Sequence, residues 1–230
     1  MPFLKRGVPV DIVHIENVGY EKALKDTKVL LMSYSNMKPL AEEPHKHLAA
    51  WVRNGGVIVY SGRDDDPFQT VQEWWNKDGK KYKAPADDLY EKLGIGTNPK
   101  AGTYSVGKGK ICIIRRDPKE FVMEADRDGE LREKVEALYQ QATGQNMLYK
   151  NNFYLARGPY EIVSVMDESV SEEPHTIKGN LIDLYDPELP VLNQKKINVG
   201  EQGFSTMLTK CPTRKHRKCW QQLPVYTRKR

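Results

Sequence analysis

The chain has 230 residues, of which 39% are hydrophobic, enough for one large domain or two modest ones with an apolar core. No apolar run approaches the roughly 18 residues that suggest a membrane helix. The N-terminus, Met-Pro-Phe-Leu-Lys-Arg-Gly, lacks the apolar centre of a secretory signal. We therefore predict no membrane partner and a cytoplasmic chain as written, and export of a parent protein remains open.

The net charge of +5 comes from one end of the chain. Residues 208–230 hold eight Lys or Arg and no Asp or Glu, which leaves 28 basic and 31 acidic residues in 1–207. A basic tail can neutralise phosphates, but this tail has no motif of a nucleic-acid module. We predict a disordered tail over 208–230 and no nucleic-acid partner. A natural tail and a shifted reading frame or artificial terminus are both open as explanations of its composition.

The first part of the chain alternates predicted strands and helices. Residues 3–7 resemble the last turn of a helix ended by glycine. Apolar runs then predict strands over 8–15, 28–33 and 57–60, with a helix over 42–54 between the last two. This alternation indicates a parallel sheet covered by helices. Such folds usually begin with a strand before their first helix, so we expect the chain to start partway through its first βα unit.

The rest of the chain divides near residue 145. Further helices are predicted over 67–76, 85–93 and 128–143, and residues 107–114 predict a turn that leads into a buried strand. After Gly144, apolar and polar residues alternate, which is typical of antiparallel strands with one solvated face. We therefore predict an α/β domain over 1–145 and a small antiparallel β unit over 146–207, with strands over 147–149, 153–155, 160–165, 175–183 and 196–199.

Candidate ligand-binding residues follow from the strand ends, because parallel sheets bind ligands just past the carboxyl ends of their strands. Residues 33–36 and 61–66 occupy these positions. The acidic turn 64–66 can bind Ca²⁺ or Mg²⁺, but it lacks the spacing of an EF-hand loop, and a helix-capping Asp66 is the simpler interpretation. One of the adjacent tryptophans 74 and 75 is expected to face outward, where it can stack on a sugar. The candidates are Ser33, Asn36, Ser61, Gly62, Arg63, Asp64, Asp66 and Trp75.

The sequence carries no recognisable catalytic signature. It has no G-x-S-x-G or G-x-C-x-G elbow, and its glycine pairs lack the third glycine of a dinucleotide fingerprint. The C-x7-C spacing of Cys211 and Cys219 matches neither common zinc pattern. Cys112 lies inside an apolar run, which predicts a small buried hydrophobe. The catalytic residues are therefore unknown, and we predict no cofactor and no metal.

Three stretches resemble a known module. They are Leu4-Lys-Arg-Gly-Val-Pro-Val-Asp-Ile-Val, Leu48-Ala-Ala-Trp-Val-Arg-Asn-Gly-Gly-Val-Ile-Val and Gly107-Lys-Gly-Lys-Ile. Together they resemble the class I glutamine-amidotransferase-like domain that follows the catalytic barrel in bacterial β-galactosidases and related glycosidases. The resemblance implies a flavodoxin-like three-layer fold and a non-catalytic role in trimerisation. Residues 152–191 are similar to the β segment that follows this domain.

The resemblance also limits the activity to be expected. An amidotransferase needs an elbow cysteine, whereas Cys112 lies mid-strand, and the barrel with the glycosidase carboxylates is not in this chain. We expect a non-catalytic accessory or assembly domain of a carbohydrate-active protein, forming a homo-oligomer and with carbohydrate as its candidate ligand. Two alternatives remain open: a hydrolase with a pocket around residues 61–66, and a pure oligomerisation module.

Overall fold

The computed structural model describes residues 2–35, 37–63, 67–123, 127–166 and 173–208. The chain divides into two compact units, Val10–Met147 (the α/β unit) and Met1–Pro9 with Leu148–Arg230 (the β unit). Within the described ranges, no helix has both the length and the apolar character needed to cross a membrane. The tail predicted over 208–230 lies outside the described residues except for Leu208.

The α/β unit contains a four-stranded mixed sheet of order β1-β2-β4-β3. The predicted parallel arrangement is confirmed for β1, β2 and β4, whereas β3, which the sequence analysis missed, pairs antiparallel with β4. The elements are β1 (Val29–Met32), α1 (Glu43–Arg53), β2 (Val57–Ser61), α2 (Pro85–Leu93), β3 (Gly102–Val106), β4 (Gly109–Ile114), α3 (Glu120–Met123) and α4 (Asp128–Thr143).

The core of this unit forms around β2, which is buried along its whole length, as expected for a central parallel strand. Ile58 and Tyr60 point to one face and pack with Leu48 and Val52 of α1 and with Leu89 of α2. The other residues of β2 alternate to the opposite face. α4 contacts β1 and β2. The apolar periodicity of the sequence therefore places α1 and α2 against the sheet.

The β3–β4 turn explains the spacing of the glycines at 107 and 109. Gly107 has φ +60°, a left-handed conformation that glycine adopts without strain. A Cβ at Gly109 would lie 2.1 Å from the carbonyl oxygens of Val52 and Gly56, so a side chain does not fit there. The turn predicted before a buried strand is thus confirmed, and it packs against the end of α1.

The β unit is a five-stranded antiparallel sheet of order β5-β6-β9-β7-β8. The predicted antiparallel character is confirmed, but 147–149 forms no strand, and the central strand β9 was not predicted. Its apolar core is formed by Val163, Val165, Ile177, Leu181, Ile197 and Met207. The strands are β5 (Phe153–Arg157), β6 (Tyr160–Ser164), β7 (His175–Asp183), β8 (Val191–Ile197) and β9 (Gln202–Met207).

The strand predicted over 8–15 is wrong. The segment contains no strand and leads into a short 3-10 helix, Ile15–Asn17. Val13 and Ile15 pack against the core of the α/β unit, whereas Ile12 is 90% exposed. The apolar alternation was therefore present, but the described sheet ends at β1, and 8–15 forms no ladder with it.

The helix predicted over 67–76 is also wrong, since only the 3-10 turn Pro67–Thr70 forms. Asn76 explains part of the difference. Its side-chain oxygen accepts from the backbone N–H of Glu73, and its amide donates to the carbonyl oxygen of Val71. Such local side-chain bonds offer the backbone an alternative to helical hydrogen bonds.

Candidate functional site

The carboxyl ends of β1, β2 and β4 surround a cleft of about 550 Å³, here the strand-end cleft. This is the position at which parallel sheets bind ligands, so we take it as the candidate site. Residues that follow all three strands line it, and a short turn after β2 closes the remaining side. The lining residues are Tyr34, Ser35, Tyr60, Gly62, Arg63, Pro67, Phe68, Gln69, Asp117, Pro118 and Lys119.

Hydrogen bonds tie the strand ends to one another. The Ser61 hydroxyl donates to the carbonyl oxygen of Arg116 at 2.7 Å, and the Gly62 N–H donates to the carbonyl oxygen of Ile114 at 3.1 Å. After β1, the hydroxyls of Ser33 and Ser35 lie 2.8 Å apart, and the Ser35 N–H donates to the Ser33 hydroxyl at 3.1 Å. The ends of β2 and β4 are thus joined to each other at the floor of the cleft, and the turn after β1 is held by its own serines.

The Tyr60 ring packs directly against the main chain at Gly62. A Cβ at Gly62 would lie 2.8 Å from the Tyr60 hydroxyl oxygen and 2.9 Å from a ring carbon. Tyr60 is buried, and its ring lies edge-on to the rings of Tyr34 and Tyr90, with centroids 5.8 and 5.6 Å apart. Glycine at 62 is therefore required for the close approach of this aromatic cluster to the cleft floor.

Beneath the cleft, three buried side chains from different elements form a chain of hydrogen bonds, here the buried relay. The hydroxyl of Tyr34, just after β1, lies 2.6 Å from Nε2 of His45 in the first turn of α1. Nδ1 of His45 lies 2.7 Å from Oδ2 of Asp88 on α2. All three side chains are almost completely buried. The relay joins the end of β1 to both helices.

The chemistry of the partners assigns the protons. A carboxylate accepts only, so His45 Nδ1–H donates to Asp88, and His45 Nε2 then accepts from the Tyr34 hydroxyl. Burial lowers the pKa of His45, even though the neighbouring Asp88 carboxylate acts in the opposite direction. Burial also acts to raise the pKa of Asp88, but hydrogen bonds from His45 and Lys92 outweigh it and leave that pKa lowered. His45 is therefore neutral and Asp88 is charged.

The relay has the connectivity of an acid–base–nucleophile triad, with a tyrosine in the nucleophile position. Burial raises the pKa of Tyr34 well above its ordinary value, and the nearby Tyr60 and Asp88 raise it further. Tyr34 thus keeps its proton and donates a hydrogen bond to His45. In this state the phenol links the end of β1 to α1.

The relay continues to the surface through ion pairs. Lys92 Nζ lies 2.6 Å from Asp88 Oδ1 and 3.3 Å from Glu42 Oε2. Glu42 also accepts from Lys80 at 2.6 Å and pairs with Lys46 at 3.1 Å. Hydrogen bonds from Lys80 first and then Lys46 lower the pKa of Glu42 to about 2. Every charge in this series has an opposite partner within hydrogen-bond distance.

The wall of the cleft that follows β4 is organised as a helix start. The Lys119 N–H donates to the Asp117 carboxylate at 2.9 Å, and the Asp117 N–H donates to Glu120 Oε1 at 3.2 Å. These reciprocal bonds cap the turn of residues 117–119 that leads into α3. Asp117 is therefore positioned first as a cap, with its carboxylate at the rim of the cleft.

The predicted site residues that the structure describes all lie in the α/β unit, but they have different roles. Gly62 and Arg63 line the cleft, Ser61 lies beneath it, and Ser33 shapes the turn after β1. The other candidates at the strand ends fall outside the described residues. These are Asn36, Asp64 and Asp66.

The placement of Trp75 differs from the expected sugar platform. The residue is 3% exposed, and its indole N–H donates to the carbonyl oxygen of Gln69 at 3.0 Å. Trp74 lies edge-on to His45, and its indole N–H donates to the carbonyl oxygen of Pro39. Trp75 is therefore buried, and its indole supports the turn that carries Gln69.

Several lining residues were missed by sequence reasoning. Asp117 and Lys119 follow β4, so the strand-end rule applied to the third parallel strand finds them. Gln69 and Phe68 have no comparable signal, because the turn at 67–70 was predicted as part of a longer helix. The pair His45 and Asp88 are 43 residues apart, and no local pattern links them.

A second, smaller hollow of about 440 Å³ lies within the β unit. It is lined by residues 7–9 and by the starts of β5 and β7. Its polar side chains include Asn152 and His175, which hydrogen-bond to each other. Burial lowers the pKa of His175. Because these two groups already pair, the strand-end cleft is the better candidate for a ligand.

Comparison with known proteins gives little direct identification. No protein-family model matches the sequence, and no curated protein is significantly similar to it. The similar solved structures include β-galactosidases from Bacillus circulans sp. alkalophilus (TM-score 0.43, 11% identity, 88% of this chain and 35% of that chain) and Rahnella sp. R3 (TM-score 0.40, 12% identity, 89% and 35%). The E323A mutant of Gan42B, a GH42 β-galactosidase from G. stearothermophilus, has a TM-score of 0.41 and 16% identity, over 90% of this chain and 35% of that chain.

The chain thus spans about a third of the length of these β-galactosidases. TM-scores this low do not establish a common fold. The likeness therefore supports no conclusion about activity, substrate or assembly.

Proposed function

We propose that this chain is a non-catalytic accessory and assembly part of a carbohydrate-active protein, and that it associates through the open edge of its parallel sheet. The sequence resemblance to the amidotransferase-like domain of bacterial glycosidases supports the class of parent protein. We extend the proposal to the fold: the α/β unit is a flavodoxin-like three-layer domain. Buried residues on both faces of β2 support this arrangement.

The open edge of β1 is the observation that carries the proposal. Among the described residues, β1 pairs with β2 and with no strand on its other side. Strands in parallel sheets are normally buried on both faces, yet Leu31 in the middle of β1 is 41% exposed. The apolar segment 8–15 also leaves Ile12 almost fully exposed. An unpaired, apolar strand edge is a template for association with another chain.

The non-catalytic part of the proposal is supported by the buried relay. Its three members satisfy one another, and Tyr34 keeps its proton, so the relay offers no free nucleophile. Cys112 is a buried free thiol within β4. The rival interpretation, a hydrolase that uses Asp64 or Asp66, depends on carboxylates outside the described residues.

Sedimentation velocity tests the assembly role. We expect the wild-type chain to be oligomeric at concentrations on the order of 10 µM, a range in which moderate interfaces associate. Leu31→Lys places a charge on the open edge and should shift the distribution to monomer. Leu148→Lys makes the same change at an exposed site in the β unit and should leave the distribution unchanged.

The outcomes separate clearly. A monomeric wild-type chain contradicts the assembly role, and equal effects of the two variants contradict the assignment to β1. Far-UV circular dichroism of Leu31→Lys checks that the variant is folded. A pure oligomerisation module predicts the same sedimentation result, and sugar binding distinguishes it from an accessory domain that contacts carbohydrate.

A further inference from the structure

We propose that the strand-end cleft binds a neutral saccharide, with the Phe68 ring as a stacking surface and the Gln69 side-chain oxygen as a hydrogen-bond acceptor. The inference rests on the proposed function for the source of such a ligand. It concerns a different surface from the open edge of β1, so the two fail independently.

Gln69 is the first observation. The residue is 5% exposed and lines the cleft, yet among the described residues its Oε1 has no hydrogen-bond partner. Its backbone oxygen, in contrast, accepts from the Trp75 indole, which fixes the position of the turn. Burying a carbonyl oxygen without a partner costs free energy, and native structures rarely leave such a group unsatisfied. A group that enters the cleft and donates a hydrogen bond removes this cost.

The chemistry of the missing partner favours a sugar over an anion. A hydroxyl group both donates and accepts, whereas ionised phosphate or carboxylate oxygens only accept. Arg63 and Lys119 at the rim donate, and they suit the oxygens of either ligand. Gln69 Oε1 needs a donor, which each hydroxyl of a polyol supplies and an ionised oxygen does not. The mixture of donors and acceptors therefore matches a neutral polyhydroxylated ligand.

Phe68 supplies the apolar part of the site. The residue lines the cleft and is 65% exposed, so much of its ring is open to a ligand. The Lys38 ammonium lies 5.7 Å from its ring centroid. The C–H face of a sugar ring can pack on the exposed surface of such a ring. The cleft volume of about 550 Å³ lies within the range typical of small-molecule sites.

Isothermal titration calorimetry and thermal shift of the whole chain test the proposal. The probes are glucose, galactose, xylose, lactose and cellobiose at millimolar concentration, with inorganic phosphate as the anion arm. We expect at least one sugar to bind and to raise Tm, and phosphate not to compete with it. No binding by any of these sugars overturns the proposal, as does phosphate binding that displaces the sugar.

Two variants locate the site. Phe68→Ala and Gln69→Leu should each weaken the binding of that sugar at least tenfold. Tyr20→Ala removes another exposed aromatic side chain of the α/β unit and should leave the affinity unchanged. Sugar binding that survives in both cleft variants overturns the assignment.

Gln69→Leu has a second readout that separates a binding role from a structural one. The substitution replaces the carboxamide and its unpartnered buried oxygen with a branched apolar side chain, so the unliganded variant should be at least as stable as the wild type. A lower Tm for unliganded Gln69→Leu would show that the carboxamide supports the fold, and would overturn the proposal. Sedimentation of Phe68→Ala should match the wild type, because the assembly role depends on β1.

Discussion

The buried relay and the strand-end cleft share Tyr34, but they differ in whether their buried polar atoms have hydrogen-bond partners. In the relay, Tyr34, His45 and Asp88 each have a partner within 2.7 Å, and no water is needed. In the cleft, the oxygen of Gln69 has no partner among the described residues. A completely paired buried network specifies structure, whereas an unpaired buried acceptor next to open space indicates a place for a ligand. The same region thus contains a structural hydrogen-bond network and a candidate ligand-binding site.

Removing the carboxylate of the relay should have the largest effect on stability. Asp88→Ala leaves His45 Nδ1–H without its acceptor and Lys92 without its closest partner. Leaving a buried donor without its partner costs about 1–3 kcal/mol, and the loss of the charged hydrogen bond to Lys92 adds to this cost. Urea unfolding followed by tryptophan fluorescence measures it, since Trp51, Trp74 and Trp75 are in the α/β unit. A loss below about 1 kcal/mol would mean that the relay does not fasten the helices.

Gly62→Ala should have the next largest effect, because the new methyl group enters the space of the Tyr60 ring. Tyr60 is buried in the aromatic cluster and has no room to move, so overpacking should cost about 1–3 kcal/mol. Gly129→Ala is the matched control: no atom lies within 4 Å of its Cβ position in α4. It should be neutral or stabilising by up to about 1 kcal/mol. Equal effects of the two variants would contradict a rigid cleft floor.

As the pH is lowered, the relay should weaken at a higher pH than the one at which most carboxylates take up a proton. Burial lowers the pKa of His45 below 6.5, so below that pH the unfolded chain binds a proton that the folded chain does not. The contribution of neutral His45 to the free energy of unfolding is therefore complete above about pH 6.5. It is lost as the pH falls toward the pKa of His45 in the folded chain. The lowered pKa of Asp88 adds a further loss at more acidic pH.

Urea midpoints between about pH 8 and pH 5 measure this dependence. His45→Gln should reduce the decline and leave the part that comes from His175, whose pKa burial also lowers. His47→Gln, which changes an exposed histidine of the same helix, should retain the whole decline. A decline of the same size in His45→Gln would assign the pH dependence to other groups.

The exposed ion pair of α1 should have the smallest effect. Glu43 and Lys46 pair at 2.9 Å, but both side chains are more than half exposed, so solvent screens the pair. Glu43→Gln should not change the urea midpoint measurably. A clear decrease in the urea midpoint would show that exposed ion pairs in this unit contribute to stability as the buried relay does.

Local patterns were enough to predict several elements of the fold. Continuous apolar runs identified β1, β2 and β4, and helical spacing identified α1, α2 and α4. Local patterns failed where tertiary packing decides the secondary structure. β9 lies at the centre of the β unit, but Gly203, Ser205 and Thr206 weaken its apolar signal. The segment 8–15 has a strong signal and forms no strand; Val13 and Ile15 instead pack against the core of the α/β unit outside the sheet.

The candidate site, like the fold, was predicted from the sequence only in part. The position of the cleft follows from the strand-end rule, and Gly62 and Arg63, which were predicted from the sequence, line it. Phe68 and Gln69 were not predicted, since their role depends on how the turn at 67–70 packs. The expected sugar platform at Trp75 is buried because its indole supports that turn.

The sequence by itself determined the two kinds of architecture, the order of the main elements and the edge of the sheet where a site is expected. These properties depend on periodicity and on residues close together in the chain. Only the tertiary structure decided which polar groups are paired. His45 meets Asp88 across 43 residues, whereas Gln69 Oε1 is buried without a hydrogen-bond partner among the described residues. Hydrogen-bond partners are set by three-dimensional packing, which local spacing does not encode.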